Sequence, residues 1–509
     1  MPPRTVLPAG VSNVVFERAL AELRRVVGAD SVLRGSEPLL PYEKLMIPAA
    51  EEQYEPSAAV LAASLSEVQG VLAVCNKYKV PIWPISTGRN FGFGSAAPAT
   101  AGQVILDLKR MDRILEVDPV LCTALVEPGV TYQQLHDYLK ERKIDLWLDF
   151  PADGPLVGPV GNTLERGVGR TPYADHLAHT CGMEVVLADG RVLRTGMGSL
   201  ATLPKGASWQ AYKYGYGPYL DGLFTQSNFG VVTKLGLWLM PAPPSYRTVL
   251  VQYGQDEDLA RAVETVRPLR LSGTITNPCT LANATLRLTE FTRRGDLFQG
   301  TGAVPDGLIL TVAREHGIAP WNLTFSLYGT PEQIAPNLEI VTRVFEASGG
   351  RVVLDYRDGV QSNELSLRAF GLLEWVGGGG LIWLPTVSAA RGADAVKQRD
   401  LARGILAQYG LDYLAAATVY GRDLHHLAAV VFDHRDPQAR LRVRDCFREL
   451  ISAFTQNGYG IYRASIDFMD AVARTYGGTH RQVNHALKRA LDPNGILAPG
   501  KSGIHEDRV

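Results

Sequence analysis

The sequence carries no excess of charge of one sign. Its 51 lysines and arginines stand against 52 aspartates and glutamates, leaving a formal net charge of −1. A nucleic-acid partner normally leaves a basic footprint, so binding to DNA or RNA is excluded. No apolar run approaches the roughly 20 residues that a membrane helix needs, so no membrane association is expected. The opening stretch MPPRTVLPAGVSNVVFERAL has no apolar core of signal-peptide length before a small-residue cleavage site. Cysteine is scarce and scattered: Cys75, Cys122, Cys181, Cys279 and Cys446 form no C-x-x-C pair. That pattern argues against a disulfide framework, a zinc site or an attached haem, and suits a reducing compartment. The five read as small buried apolar residues. A soluble cytoplasmic protein without a metal is the expectation, and neither an internal repeat nor a low-complexity tail interrupts the chain.

What is present is globular. The 509 residues are 46% hydrophobic and 20% charged, which suggests about two or three domains. Ser64 and Glu67 form a capping-box pattern before Val68, Val71, Leu72 and Cys75 at helical spacing. VPIWPIS (80–86), QVILDL (103–108) and TALVEPG (123–129) read as strands, and Thr131 as the cap of a helix carrying Leu135, Tyr138 and Leu139. MEVVLADGRVLRTG (183–196) is a hairpin pattern turned at Asp189-Gly190. A proline cluster in LWLMPAPPS marks a domain boundary near residue 242. Strands such as 321–329 then alternate with helices such as 331–347, and the chain from 466 is helical again. Thr479 and Gln482 are expected to cap a helix that buries Val483, Ala486, Leu487, Ala490 and Leu491.

The chemistry concentrates in glycine-rich loops. PISTGRNFGFGSAAP (84–98) follows a buried strand directly and holds Ser86, Thr87, Gly88, Arg89, Asn90, Phe91, Gly92, Gly94 and Ser95. Glycine lets successive N–H groups converge on an anion, and a diphosphate suits such a cradle. The stretch is not G-x-G-x-x-G, and its helix does not open where a Rossmann turn needs it. Taken alone, a loop of this kind is more often a turn. Three others accompany it: EPGVT (127–131) with Pro128 and Gly129, GNTLERGVG (161–169) with Gly161, Asn162, Thr163, Gly167 and Gly169, and FTQSNFGVVT (224–233) with Asn228, Gly230 and Val231. Near the end, GILAPGKSG satisfies the phosphate-loop template G-x-x-x-x-G-K-[ST]. That template needs a strand before and a helix after. Here a helix precedes, DPNG stops it, and too few residues follow for another.

With these motifs in order, together with VILDLKRMDRILEVDP, VGNTLERGVGRTPYADH, GRDLHHL, GYGIYR and LDPNGILAPGKSGI, the chain resembles the vanillyl-alcohol oxidase and 4-cresol dehydrogenase flavoproteins. The resemblance runs from about residue 8 to 504. It implies an α+β, two-domain FAD-linked oxidase fold. Residues 1–242 form the FAD-binding domain, 243–465 a substrate-binding cap with a large antiparallel sheet, and 466–509 complete the FAD domain. It implies FAD as cofactor, a small aromatic substrate, and oxidation of a para-substituted phenol. A phenolate pushes electron density to its para carbon, so a hydride leaves the benzylic position for flavin N5 and a quinone methide results. Tyr462 and Arg463 match the family's phenolate clamp, and Lys501 is placed near the cofactor. Asp153, in FPADGPLVG, falls where family oxidases carry an acid near N5; as a base or redox-tuning group it competes with a plain turn aspartate. His425 and His426 face opposite ways on a strand, so at most one reaches the cavity, and His426 is taken as the catalytic candidate. No third ligand stands at metal spacing beside them. A homo-oligomer, dimer or higher, also follows from the resemblance.

Three departures matter. Phe93 stands where a clamp tyrosine is usual, which removes a charge-assisted hydrogen bond of about 1.5–3 kcal/mol. Arg170 replaces a tyrosine in GVGRTPY and is either solvated, paired with Asp153, or set to meet an anionic substrate group. Leu381 lies where a histidine commonly ties FAD covalently, and neither His nor Tyr occurs between Arg357 and Gln408. Dissociable FAD of lower potential is therefore expected, with Trp383 as a pocket wall. Two rivals stand beside phenol oxidation: a hydroxy-acid or alcohol oxidase that uses Arg170 to hold a carboxylate, and an idle flavin-binding protein. Electrons go to molecular oxygen or to a protein acceptor, and an oxidase is preferred.

Overall fold

Ser64 starts a helix, and the atoms that do so are visible in the computed structural model. It describes residues 6–151, 154–201, 207–354, 356 and 371–505. The Ser64 hydroxyl accepts from Glu67 N, while the Glu67 carboxylate reaches back to Ala63 N at 2.8 Å, one residue short of a reciprocal capping box. Such a cap is worth about 1 kcal/mol. The helix Leu65–Tyr78 buries Val68, Val71, Leu72 and Cys75 and connects the parallel strands Ala58–Leu61 and Ile82–Ile85, each paired with Val104–Asp107. Thr131 likewise caps Tyr132–Glu141. The strand Ile82–Ile85 ends at the mouth of the loop that follows, and this delivers Ser86 and its neighbours to the site.

The first part of the chain holds a four-stranded sheet and a five-stranded antiparallel sheet whose centre is Val231–Trp238. The expected hairpin pairs Thr180–Val186 with Val192–Arg194. Residues 245–461 supply an eight-stranded antiparallel sheet. One face of that sheet, with Ile382, Leu384, Ala428 and Val430, packs against helices in the largest hydrophobic core. The other face, with Leu381 and Trp383, turns toward Gly92 in the loop 86–95. The cap is thereby laid over the N-terminal loops, and the chain's end returns to them: Leu497 bridges in parallel to Ile82, and Ala498 N donates to Ile82 O at 2.7 Å.

The helix Gly478–Leu491 departs from the expected pattern. Gly477 precedes it without a side-chain cap, Val483 is 55% exposed, and the residues it buries are His485 and Lys488. Periodicity pointed to an apolar face because it counts side chains, not partners. Leu487 and Leu491 do pack against the core around Val126, Val185 and Leu235, but between them Lys488 Nζ donates to Leu497 O, Asn228 O and Asp492 Oδ2. In LDPNGILAPGKSG, Gly500 is left-handed and is followed directly by a 3-10 turn, Lys501–Gly503, in place of the helix the phosphate-loop template needs at that point. Among the described residues no helix is long and apolar enough to cross a membrane, and no group of His, Cys, Asp or Glu could hold a metal.

Candidate active site

An elongated cavity runs between the N-terminal loops and the chain's end. Ser86, Thr87, Gly88, Arg89, Asn90 and Ser95 line it from the first loop, and Pro128, Gly161 and Asn162 from the next two. Asn228, Gly230 and Val231 complete the ring with Arg463 and Lys501. Three buried polar atoms here have no protein partner: Ser86 Oγ, Asn228 Oδ1 and Arg463 Nε. Unpaired buried polar atoms are costly, so a cavity that gathers several of them fits a polar guest. Gly158, unforeseen, lets the third loop approach: a Cβ on it would stand 2.6 Å from Ser86 Oγ.

Other expected cofactor residues shape the loops without forming the cavity surface, and this corrects the sequence reading. A Cβ on Gly129 would strike Lys109 O, and Cβ atoms on Gly167 and Gly169 would strike Asn162 and Asp149. Gly94 packs on Ile466, and Phe91 lies under the Arg89 guanidinium. Gly92 has φ 73° and is closed by Trp383 and Leu381, so the loop touches the cap at that point. Thr163 faces a separate small cavity with Tyr132 and His176.

Glu165 is a participant the sequence did not single out. It pairs with Lys501, whose ammonium also lies 5.5 Å from the centre of the Trp83 ring. Burial pushes the Glu165 carboxyl up, but Lys501 and then Arg463 outweigh it and hold the group below its ordinary value. Its position in GNTLERG, beside the loop glycines, was the available signal.

The Arg463 guanidinium carbon lies over the Phe93 ring, 4.1 Å from its centre, and Arg463 donates to Asn90 Oδ1. The Phe93 ring therefore supports the cation. Tyr462 stands beside His425, with ring centres 5.0 Å apart, and the Tyr420 ring lies 4.5 Å from His425, tilted by 41°. His425 Nε2 lies 3.2 Å from Asp423 Oδ2, and its Nδ1 is buried without a partner. The His425 hydrogen bond holds Asp423 below its usual carboxylate range. Tyr420 and Asp423 were not singled out: Asp423 lies within GRDLHHL but drew less notice than the two histidines, and Tyr420 stands just outside that motif. The Arg170 backbone links the layers: its N–H donates to Asp149 Oδ1 and its carbonyl accepts from Asn277. Asp153 lies outside the described residues.

His426 does not join this group, and the catalytic assignment is withdrawn. It faces the helices, 2% exposed, between Tyr413 and Phe454, with Nε2 2.9 Å from the Tyr413 hydroxyl. Burial pushes its imidazole down to about 4 from 6.5. Below pH 6.5 the unfolded chain takes up the proton first, so stability is whole above 6.5 and is lost as the pH falls through 4. The loss saturates at about 3 kcal/mol. His426→Gln is expected to shrink the drop in melting temperature between pH 7 and pH 5, and an unchanged drop would show that His426 does not drive it.

Residues 56–196 match the FAD binding domain family and residues 248–502 the C-terminal domain of FAD linked oxidases. The chain is 46% identical to the 4-cresol dehydrogenase [hydroxylating] flavoprotein subunit of Pseudomonas putida, over 98% of both chains. A crystal structure of p-cresol methylhydroxylase with substrate bound superposes with a TM-score of 0.97 at 46% identity, covering 99% of this chain and 100% of that one. The 4-ethylphenol oxidase of Gulosibacter chungangensis follows at 0.93 and 35%, covering 99% of each. The chain is thus a flavin-dependent oxidoreductase with a bipartite FAD domain and a cap, and it belongs to the FAD-linked oxidases of the vanillyl-alcohol oxidase and 4-cresol dehydrogenase type.

Proposed function

We propose that this enzyme oxidises a para-substituted phenol, of the 4-alkylphenol or 4-hydroxybenzyl alcohol type, by hydride loss from the benzylic carbon. The observation that carries the reading is Arg463, seated on Phe93 and next to Tyr462, at the junction of the cofactor cavity and the cap. FAD fits that cavity: the orphan Ser86 Oγ and Asn228 Oδ1 and the loop N–H groups would hold it, and when bound it supplies the hydride acceptor. The rest falls to side chains. The Arg463 cation and the Tyr462 hydroxyl bind the phenol oxygen and favour its phenolate. The phenolate electrons make the benzylic hydride a good leaving group, which produces a quinone methide. His425, oriented by Asp423, takes a proton at Nδ1 from the water that adds to the benzylic carbon, and the phenolate is regenerated.

FAD is proposed to be dissociable. Leu381 is an aliphatic side chain buried beside Gly92 and Val431, and cannot bond to a flavin. Oxygen is the proposed acceptor, and a cytoplasmic homo-oligomer belongs to the same proposal. Anaerobic mixing with a panel of 4-alkylphenols is expected to bleach the flavin absorbance; a panel that leaves it untouched sinks the reading. Admitting air then separates the acceptors, since slow return of colour would assign a protein acceptor. In acid, the flavin is expected in the supernatant, and flavin retained in the protein pellet would refute the non-covalent claim.

A further inference from the structure

A second cavity of about 290 Å³ adjoins the cofactor cavity and shares Glu165, Gln226, Ser227 and Arg463 with it. Its lining carries three arginines. Arg166 enters from the third glycine-rich loop, Arg463 from the clamp, and His480 and Arg481 from the first turn of the helix Gly478–Leu491. The acid among the lining residues is Glu165, whose carboxylate pairs with Lys501 and also feels Arg463 and Arg166. Arg463 and Arg481 each keep a buried Nε without a partner, and Arg166 Nε donates to the neutral Thr225 hydroxyl at 3.3 Å. That helix starts without a side-chain cap and without an acid in its first turn, so its end adds to the positive field. Glu165 leaves the arginines of this cavity in excess over carboxylate, and an entering anion offsets that excess. The remaining lining includes Leu223, Phe229 and Val472, which offer apolar surface.

We infer that this second cavity is a binding site for a small organic carboxylate, its anion drawn to Arg166 and Arg481 and its apolar body resting against Leu223, Phe229 and Val472. Tyr462 and Arg463, assigned above to the phenol oxygen, also line this cavity, so the anion is assigned to Arg166 and Arg481 and the test is made on those two. Glu165, Gln226, Ser227 and Arg463 form the wall common to this cavity and the cofactor cavity.

Calorimetric titration of the FAD-loaded enzyme with benzoate, at fixed ionic strength, tests it, with benzyl alcohol as the neutral counterpart. Benzoate is expected to bind saturably and at least ten-fold more tightly than benzyl alcohol. Arg481→Leu and the more exposed Arg166→Leu are each expected to weaken benzoate ten-fold or more at unchanged FAD content, while Arg481→Lys keeps part of the affinity. Absent benzoate binding, equal binding of the two probes, or a benzoate affinity indifferent to both leucine variants would overturn the inference.

Discussion

Arg463→Leu is expected to lower kcat/KM for 4-alkylphenols by about 10- to 150-fold, the equivalent of one charge-assisted hydrogen bond of about 1.5–3 kcal/mol. The cation sits at the boundary of the cofactor cavity, fixed by Asn90 and the Phe93 ring. Its loss removes the charge that favours phenolate over phenol. The bound phenol then ionises at higher pH, so the acidic limb of the kcat profile moves to more alkaline values. A purely structural role would not move that limb. Arg463→Lys restores the charge but not the guanidinium contact with Phe93, and is expected to recover the limb more fully than the rate. Steady-state profiles of the three proteins check this. An unmoved limb in the leucine variant would remove Arg463 from phenolate stabilisation.

Lys488→Met is the second large effect, and it concerns stability. Lys488 and Asp492 are both fully buried, one helical turn apart, with Nζ 2.6 Å from Oδ2. Lys488 also donates to Leu497 O and Asn228 O, while Asp492 accepts from the N–H groups of Ile496 and Leu497. The pair thereby fastens the returning chain end to the loop that lines the cofactor cavity. Removing one partner leaves a buried charge uncompensated, at a cost of about 3–5 kcal/mol. Lys488→Met is expected to lower the melting temperature strongly and to release FAD more readily, since Asn228 and Leu497 both border the cavity. Lys488→Met with Asp492→Asn should be less damaged than the sum of the single variants, because neither charge is then stranded. Additive losses would show that the two residues act independently. Melting curves at one scan rate and FAD content after gel filtration supply both readings.

The amino-acid sequence determined the local pieces of this protein. Ser64, Thr131 and Asp189-Gly190 mark a helix start, a second helix start and a hairpin turn, and each acts through atoms within a few residues. The glycine-rich loops were legible for the same reason, and their order along the chain led to the flavoprotein family. Facing was not legible. Alternation along Asp423–Asp433 puts His425 and His426 on opposite sides, but only the helices packed on one face decide that His426 is a core residue and His425 a neighbour of Tyr462. The same holds for Gly478–Leu491, whose inward Lys488 answers carbonyls from Asn228 and Leu497 rather than an apolar surface. Glu165 and Lys501 meet across 336 positions, and Arg463 reaches Asn90 across 373. Charge and hydrogen-bond partners at such separations leave no periodic trace in a sequence, so the tertiary structure alone could assemble the site from them.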